Sequence, residues 1–251
     1  MIRHSLFSLF LIILWSCQSS VKPTPTTPKP VPQKKEVSLV HLVRQPNPQV
    51  ANPPLLIILH GVGANERNLH EPLAPYFDPR FLVVSLRSPI ELGPDSYGWY
   101  KVGFSEEGVI IDPKEEDEGR QKLIGVIDEL VQYYAADASK VFLLGFSQGA
   151  IMSSAAVLSA PEKIRGAVLL SGKTPMAIDE HLAEAAAIGK VDVFISHGKN
   201  DKVSPIIDGQ QLKEKLEKTG VKNLIYKEHN GAHQLDGQHI REVLQWLSAR
   251  I

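Results

Sequence analysis

The chain is expected to be an α/β protein with a mostly parallel central sheet, helices on both faces and no large cap domain. Three observations predict this. Short, continuous apolar runs rich in β-branched residues recur along the chain, as strands buried on both faces require. Helical patterns separate them, and alternation of this kind implies parallel pairing. The segments that look chemically equipped follow the apolar runs directly, and ligands bind at those carboxyl ends in such sheets.

In chain order, Val37–Val43 is a first strand, followed by Leu55–Leu59 and Phe81–Val84. The series continues with Val141–Leu144, Gly166–Leu170, Val191–Ile195 and Asn223–Lys227. Helices are expected over 66–76, 115–134, 148–158, 206–218 and 238–249. Gly220, just past Lys218 and Thr219, is a helix-stop signal. There is no internal repeat.

Residues 1–35 lie outside this pattern. Arg3 and His4 precede an apolar stretch from Leu6 to Trp15, too short for a stable span and typical of a secretory signal. The stretch ends in Leu14-Trp15-Ser16-Cys17, which resembles the lipobox of bacterial lipoproteins, with Cys17 as the lipid-modified first residue of the mature chain. The alternative is an ordinary signal peptide with an incidental cysteine. The expected organisation is a signal over 1–16, a lipidated Cys17 with a Pro/Thr-rich extended tether over 17–35, and a catalytic domain over 36–251. Cys17 is the chain's single cysteine, so a lipidated chain has no thiol left for a disulfide. The protein is then exported and held at a membrane through its lipid alone. Gln18 after the cysteine leans the sorting toward an outer membrane, by resemblance to enteric lipoproteins.

With 251 residues, 43% hydrophobic and 22% charged, and a formal net charge of −1, the chain has enough apolar content for one sizeable core. No basic run beyond Lys34-Lys35 suggests a nucleic-acid surface. No H-E-x-x-H spacing, phosphate loop or dinucleotide fingerprint is present, so no metal and no cofactor are expected.

The chemistry centres on Gly145-Phe146-Ser147-Gln148-Gly149. This fits G-x-S-x-G, the nucleophile elbow of α/β-hydrolases, in the strand-turn-helix setting that the elbow needs. A serine hydroxyl needs a base, and the base an acid that fixes its tautomer, in the order Ser, Asp, His for that fold. Asp201 stands in the segment after the strand 191–195. Asp192, Asp208 and Asp236 are wrongly placed, at the start of a strand, inside a helix and after the histidine. His229 and His233 compete for the base. His233 is preferred, because it lies farther along, beyond Gly231, where a loop can curl back over the serine. The oxyanion of the tetrahedral intermediate needs two backbone donors. Gln148, after the nucleophile, supplies one; Val62, between Gly61 and Gly63 in the loop after the second strand, supplies the other. His60 and His197 read as structural histidines.

These residues carry a family resemblance. Leu59-His60-Gly61-Val62-Gly63-Ala64-Asn65-Glu66, Arg87-Ser88-Pro89 with Tyr97-Gly98-Trp99-Tyr100, the G-F-S-Q-G-A stretch, His197-Gly198-Lys199-Asn200-Asp201 and His233 together resemble the phospholipase/carboxylesterase family of α/β-hydrolases. That group includes bacterial carboxylesterases and acyl-protein thioesterases. The resemblance runs from about residue 37 to the end. It implies Ser147, Asp201 and His233 as triad, Val62 and Gln148 as oxyanion donors, and Trp99 near the acyl or alcohol pocket, with plain core packing as its other role. It further implies a small-molecule ester as substrate, cleaved through an acyl-enzyme. Alternatives are a feruloyl or acetyl-carbohydrate esterase, a lysophospholipase or thioesterase, and a catalytically silent binding protein on the same scaffold. Acyl length, alcohol group and oligomeric state are not readable. The short chain between motifs predicts an open cleft.

Overall fold

The computed structural model describes residues 36–105 and 108–251. The signal, Cys17 and the tether lie outside the described residues.

The elements are, in order, β1 His41–Arg44, β2 Leu55–Leu59, α1 Arg67–Leu73, β3 Leu82–Leu86, β4 Ile90–Gly93, β5 Ser96–Gly98, β6 Val102–Ser105, β7 Gly108–Ile111 and α2 Pro113–Tyr134. Then come β8 Val141–Phe146, α3 Gln148–Ser159, β9 Gly166–Leu170, α4 Ala185–Ile188, β10 Asp192–Gly198, α5 Ile206–Thr219, β11 Asn223–His229 and α6 Gly237–Ser248. Seven strands form one sheet in the order β1-β3-β2-β8-β9-β10-β11. β1 runs antiparallel to β3 and the other six are mutually parallel.

Alternation along the strands divides the core in two. Leu55, Ile57 and Leu59 of β2 join Leu143 of β8 and the buried faces of α2, α3 and α5. Leu56 and Ile58 join Leu144, Phe194 and the apolar side of α1 and α6. Every residue of β2, β3 and β9 is buried, which explains why their sequences are nearly continuous apolar runs rather than alternating ones, with Ser85 of β3 the polar exception. Trp246 of α6 packs edge-on to Phe194 at 6.1 Å and closes the second layer.

Helix ends follow their local chemistry. Asp112 caps α2 by accepting from Lys114 N–H at 2.9 Å, with Pro113 as first helical residue. Gly220 ends α5 at φ +117°, the left-handed stop its position predicts.

Four expectations are corrected. The first strand begins at His41 rather than Val37, because Ser38 N–H donates to Glu129 of α2 at 2.7 Å instead of to a sheet partner. β10 continues through Ser196, His197 and Gly198, and β11 through His229, so these residues are strand and not loop. The extension comes from parallel pairing in register to Gly198 opposite His229, which only the neighbour strand supplies. The helix expected over 66–76 is shorter: α1 stops at Leu73, and a 3-10 turn, Ala74–Tyr76, follows. Between β3 and α2 the chain forms two hairpins, β4–β5 and β6–β7, absent from the sequence reading.

Candidate active site

The elbow is built by exclusion of side chains. A Cβ on Gly145 would lie 2.2 Å from the Gly149 carbonyl oxygen, and one on Gly149 would lie 2.2 Å from the Leu59 carbonyl oxygen. No residue but glycine fits either place. Ser147 between them sits at φ +53°, ψ −118°, a conformation that costs an L-residue about 1–3 kcal/mol. Its backbone is held regardless: Ser147 N–H donates to Leu170 O at 2.8 Å, and its carbonyl accepts from Ala150 and Ile151 at 2.9 and 3.1 Å. The strained turn lifts Oγ out of the sheet at the N-terminus of α3.

Three of the predicted site residues meet there. His233 Nε2 accepts from Ser147 Oγ at 2.9 Å. His233 Nδ1–H donates to Asp201 Oδ2 at 2.7 Å. The Asp201 side chain is fully buried, and its other oxygen accepts from Val203 and Ser204 N–H, both at 2.9 Å. Both oxygens of the carboxylate are therefore engaged, and the histidine tautomer is set with an acceptor toward the serine. Phe146 packs on the His233 ring at 4.9 Å between centroids.

The loop that carries His233 is seated by another glycine. A Cβ on Gly198 would meet the Ala232 and Gly231 carbonyl oxygens at 2.4 and 2.6 Å. Gly231 N–H donates to His229 Nδ1 at 3.1 Å. His229 is thus the buried end residue of β11 and a prop for the loop; burial holds its imidazole below the ordinary histidine range. The competing acids have structural tasks. Asp192 pairs with Arg165 and Arg250, Asp208 accepts from Ser204 Oγ, and Asp236 caps α6.

Val62, 42% exposed, stands over Ser147 from the loop after β2, and Gly61 packs so close that a Cβ there would lie 3.1 Å from Ser147 Cβ. Among the described residues, neither Val62 N–H nor Gln148 N–H donates in the turns and caps around the site. Buried His60 shapes this loop. Its Nε2 accepts from Ser88 N–H at 3.1 Å, so the proton is on Nδ1, which donates to Gly61 O at 2.7 Å. Burial keeps this imidazole below its ordinary range, as a neutral double-ended tie requires. His197 is likewise structural: Nε2–H donates to Ser204 O at 2.7 Å, beneath the Asp201 turn.

Two hollows flank Ser147. One, of about 150 Å³, is walled by Tyr100, Val102, Ile111, Ile151, Lys173 and Val203. The other, of about 320 Å³, is walled by His60, Asn68, Leu69, Phe146, Val203 and His233. Among the described residues no group of three His, Cys, Asp or Glu side chains could hold a metal.

With this geometry in place, comparison with known proteins decides the family. Residues 43–251 match the family model described as Phospholipase/Carboxylesterase. The chain belongs to the phospholipase/carboxylesterase family. This family member is 26% identical over 200 residues to MhqD of Bacillus subtilis, across 78% of its own length and 94% of that protein's. It is 29% identical over 130 residues to acyl-protein thioesterase 1 of Debaryomyces hansenii, a match covering 51% of this chain but only 55% of the thioesterase. Among solved structures, the Bacillus cereus carboxylesterase superposes with a TM-score of 0.73 at 25% identity, covering 85% of this chain and 95% of that one. Esterase PE8, at 20% identity and TM-score 0.75 over 85% of this chain and 99% of that one, shares the fold. The phospholipase/carboxylesterase member described here is an ester hydrolase with the α/β-hydrolase fold.

Of the two roles open to Trp99, the structure fits core packing rather than a place in the pocket wall. It is 1% exposed and lines neither hollow. Its carbonyl packs against Gly119 of α2, where a Cβ would come within 3.0 Å. Its N–H donates to Gln148 Oε1 at 2.7 Å, while Gln148 Nε2 donates to Tyr100 O at 2.9 Å. Trp99 is a core anchor, and the wall residue is its neighbour Tyr100. Tyr100, Val102, Ile111 and Lys173 join the wall without a local sequence signal, except that Lys173 lies in the segment after β9, where sheet ligands bind.

Proposed function

We propose that this family member is a serine carboxylesterase that cleaves small acyl esters through an acyl-enzyme, with Ser147, His233 and Asp201 as its triad. The observation that carries the reading is the chain of two short contacts, 2.9 Å from Ser147 Oγ to His233 Nε2 and 2.7 Å from His233 Nδ1 to Asp201.

In this reading Ser147 Oγ attacks the ester carbonyl and its proton passes to His233 Nε2. Asp201 holds the imidazolium in place. Val62 and Gln148 N–H groups receive the oxyanion. As the tetrahedral intermediate collapses, the bond to the alcohol oxygen breaks and His233 returns the proton to it. Water, deprotonated by His233, then releases the acid and restores Ser147. The leaving oxygen must therefore be within reach of His233. That assigns the alcohol to the 320 Å³ hollow, which His233 lines, and the acyl group to the 150 Å³ hollow, which it does not. An engineered apolar cavity of the latter volume holds a benzene-sized ligand, so the acyl chain accommodated is about four to six carbons.

Turnover of p-nitrophenyl acetate and butyrate by the full-length chain tests the mechanism. Ser147→Ala is expected to lower kcat at least about a thousandfold; equal rates for the two proteins would remove it. A fluorophosphonate probe labelling Ser147 separates an enzyme from a silent binding scaffold.

We further propose that the enzyme works outside the cytoplasm, tethered by lipid on Cys17. The Leu14-Trp15-Ser16-Cys17 motif and the Pro/Thr-rich stretch after it support this.

A further inference from the structure

Lys173 is the cation in the wall of the 150 Å³ hollow beside Ser147. It is half-buried, and among the described residues it has neither a hydrogen bond nor an ion pair. The rest of the wall is mainly apolar: Tyr100, Val102, Ile111, Ile151 and Val203. An anion in the hollow can pair with this ammonium, and the mainly apolar wall around them strengthens a charge-assisted contact relative to open water.

The backbone that places Lys173 is rigid. Ser171 follows β9 in the left-handed region at φ +49°, and its N–H donates to Ser196 O at 2.9 Å. Gly172 follows against the first turn of α3, where a Cβ would lie 2.7 Å from Ala150 Cβ. A strained residue and an obligatory glycine thus turn Lys173 toward the same hollow that Ser147 opens onto.

The acid whose charge acts on Lys173 is Glu116 of α2. Its Oε1 accepts from Met176 N–H at 2.7 Å and its Oε2 is buried without a partner. Burial pushes this carboxyl above its usual range, which weakens it as a counter-ion. The lysine is left for a ligand.

We propose that Lys173 selects acyl groups ending in a carboxylate, so that the favoured substrates are hemi-esters of short dicarboxylic acids. The proposal rests on the assignment of this hollow to the acyl group. One ammonium balances one carboxylate, whereas a phosphate dianion would leave a net charge in an apolar wall. The apolar residues that share this wall with Ser147 and Lys173 hold the methylenes.

The test compares kcat/KM for monomethyl adipate with that for methyl adipamate, a neutral isostere, on the full-length chain. A preference of at least tenfold for the hemi-ester is expected, falling to about one in Lys173→Met and kept in Lys173→Arg. A wild-type ratio near one, or a ratio unchanged in Lys173→Met, overturns the proposal. A second readout is independent of turnover: calorimetric binding of adipate against hexanoate to Ser147→Ala, with and without Lys173→Met. Tighter binding of adipate that requires Lys173 supports the proposal even if neither ester is hydrolysed, in which case the esterase mechanism alone falls. Equal binding of the two acids sinks the proposal and leaves the esterase reading standing.

Discussion

Arg87 grips Glu66 with two parallel contacts of 2.7 Å, Nε to one carboxylate oxygen and a terminal nitrogen to the other. The pair joins the segment after β3 to the end of the loop that carries Val62. Glu66 is 4% exposed, and Arg87 holds its carboxyl down at about 2, against an ordinary value of 4.5. A depressed carboxyl contributes stability that is complete above its unfolded pKa and is lost as pH falls through the folded one. The window here is from about 4.5 down to about 2, and the contribution is on the order of 3 kcal/mol. Glu66→Gln is therefore expected to lower the urea midpoint clearly at pH 7, with the gap to wild type narrowing from pH 4.5 downward. A gap that stays constant to pH 3 would show that the ion pair is not its source. At this scale the sequence was readable wherever chemistry is local. Ser147, Asp201 and His233 declared themselves by order and by position after strands. Trp99 did not, because whether a large ring lines a hollow or fills the core depends on how distant segments pack, and here it is buried with its backbone fixed against Gly119 and the Gln148 side chain.

Glycines set the distances between elements. β10 ends in Gly198 so that the 229–233 segment can pass with its carbonyls where a methyl would be. Gly198→Ala is expected to displace His233 and lower kcat about a hundredfold, the scale of a 1 Å misplacement of a catalytic group. Gly125→Ala is the control: it is exposed within α2 and a Cβ there meets nothing within 4 Å. It is expected to leave kcat unchanged and raise stability by about 1 kcal/mol, read from thermal unfolding. If both variants keep wild-type kcat, the close approach at Gly198 is not needed for His233. The inner parallel strands were legible because burial on both faces demands apolar runs, as in β2. The β4–β5 and β6–β7 hairpins were not: their strands are three or four residues long, too short for periodicity to register. Yet β6 and β7 contribute Val102 and Ile111 to the wall of the smaller hollow, so the cleft predicted to be open is flanked by an unpredicted element.

At the scale of the whole chain, an ester-cleaving domain follows a segment with the marks of export and lipid attachment. Cys17→Ser is expected to move the protein from the membrane fraction to the soluble fraction and to abolish incorporation of labelled palmitate; unchanged fractionation would mean that the motif is not a lipidation signal. Among the described residues no helix is long and apolar enough to cross a membrane, so the test bears on the segment before residue 36. A sheet buried on both faces, an elbow serine and the order of its partners were written in local patterns, because apolar runs, obligatory glycines and post-strand positions are properties of neighbouring residues. The two hollows, the burial of Trp99 and the unpaired ammonium of Lys173 were not, because each depends on which distant segments come to lie against one another. Tyr100, Val102, Ile111, Ile151 and Lys173 span more than 70 positions and share one wall only after the sheet, α3 and the hairpins have packed.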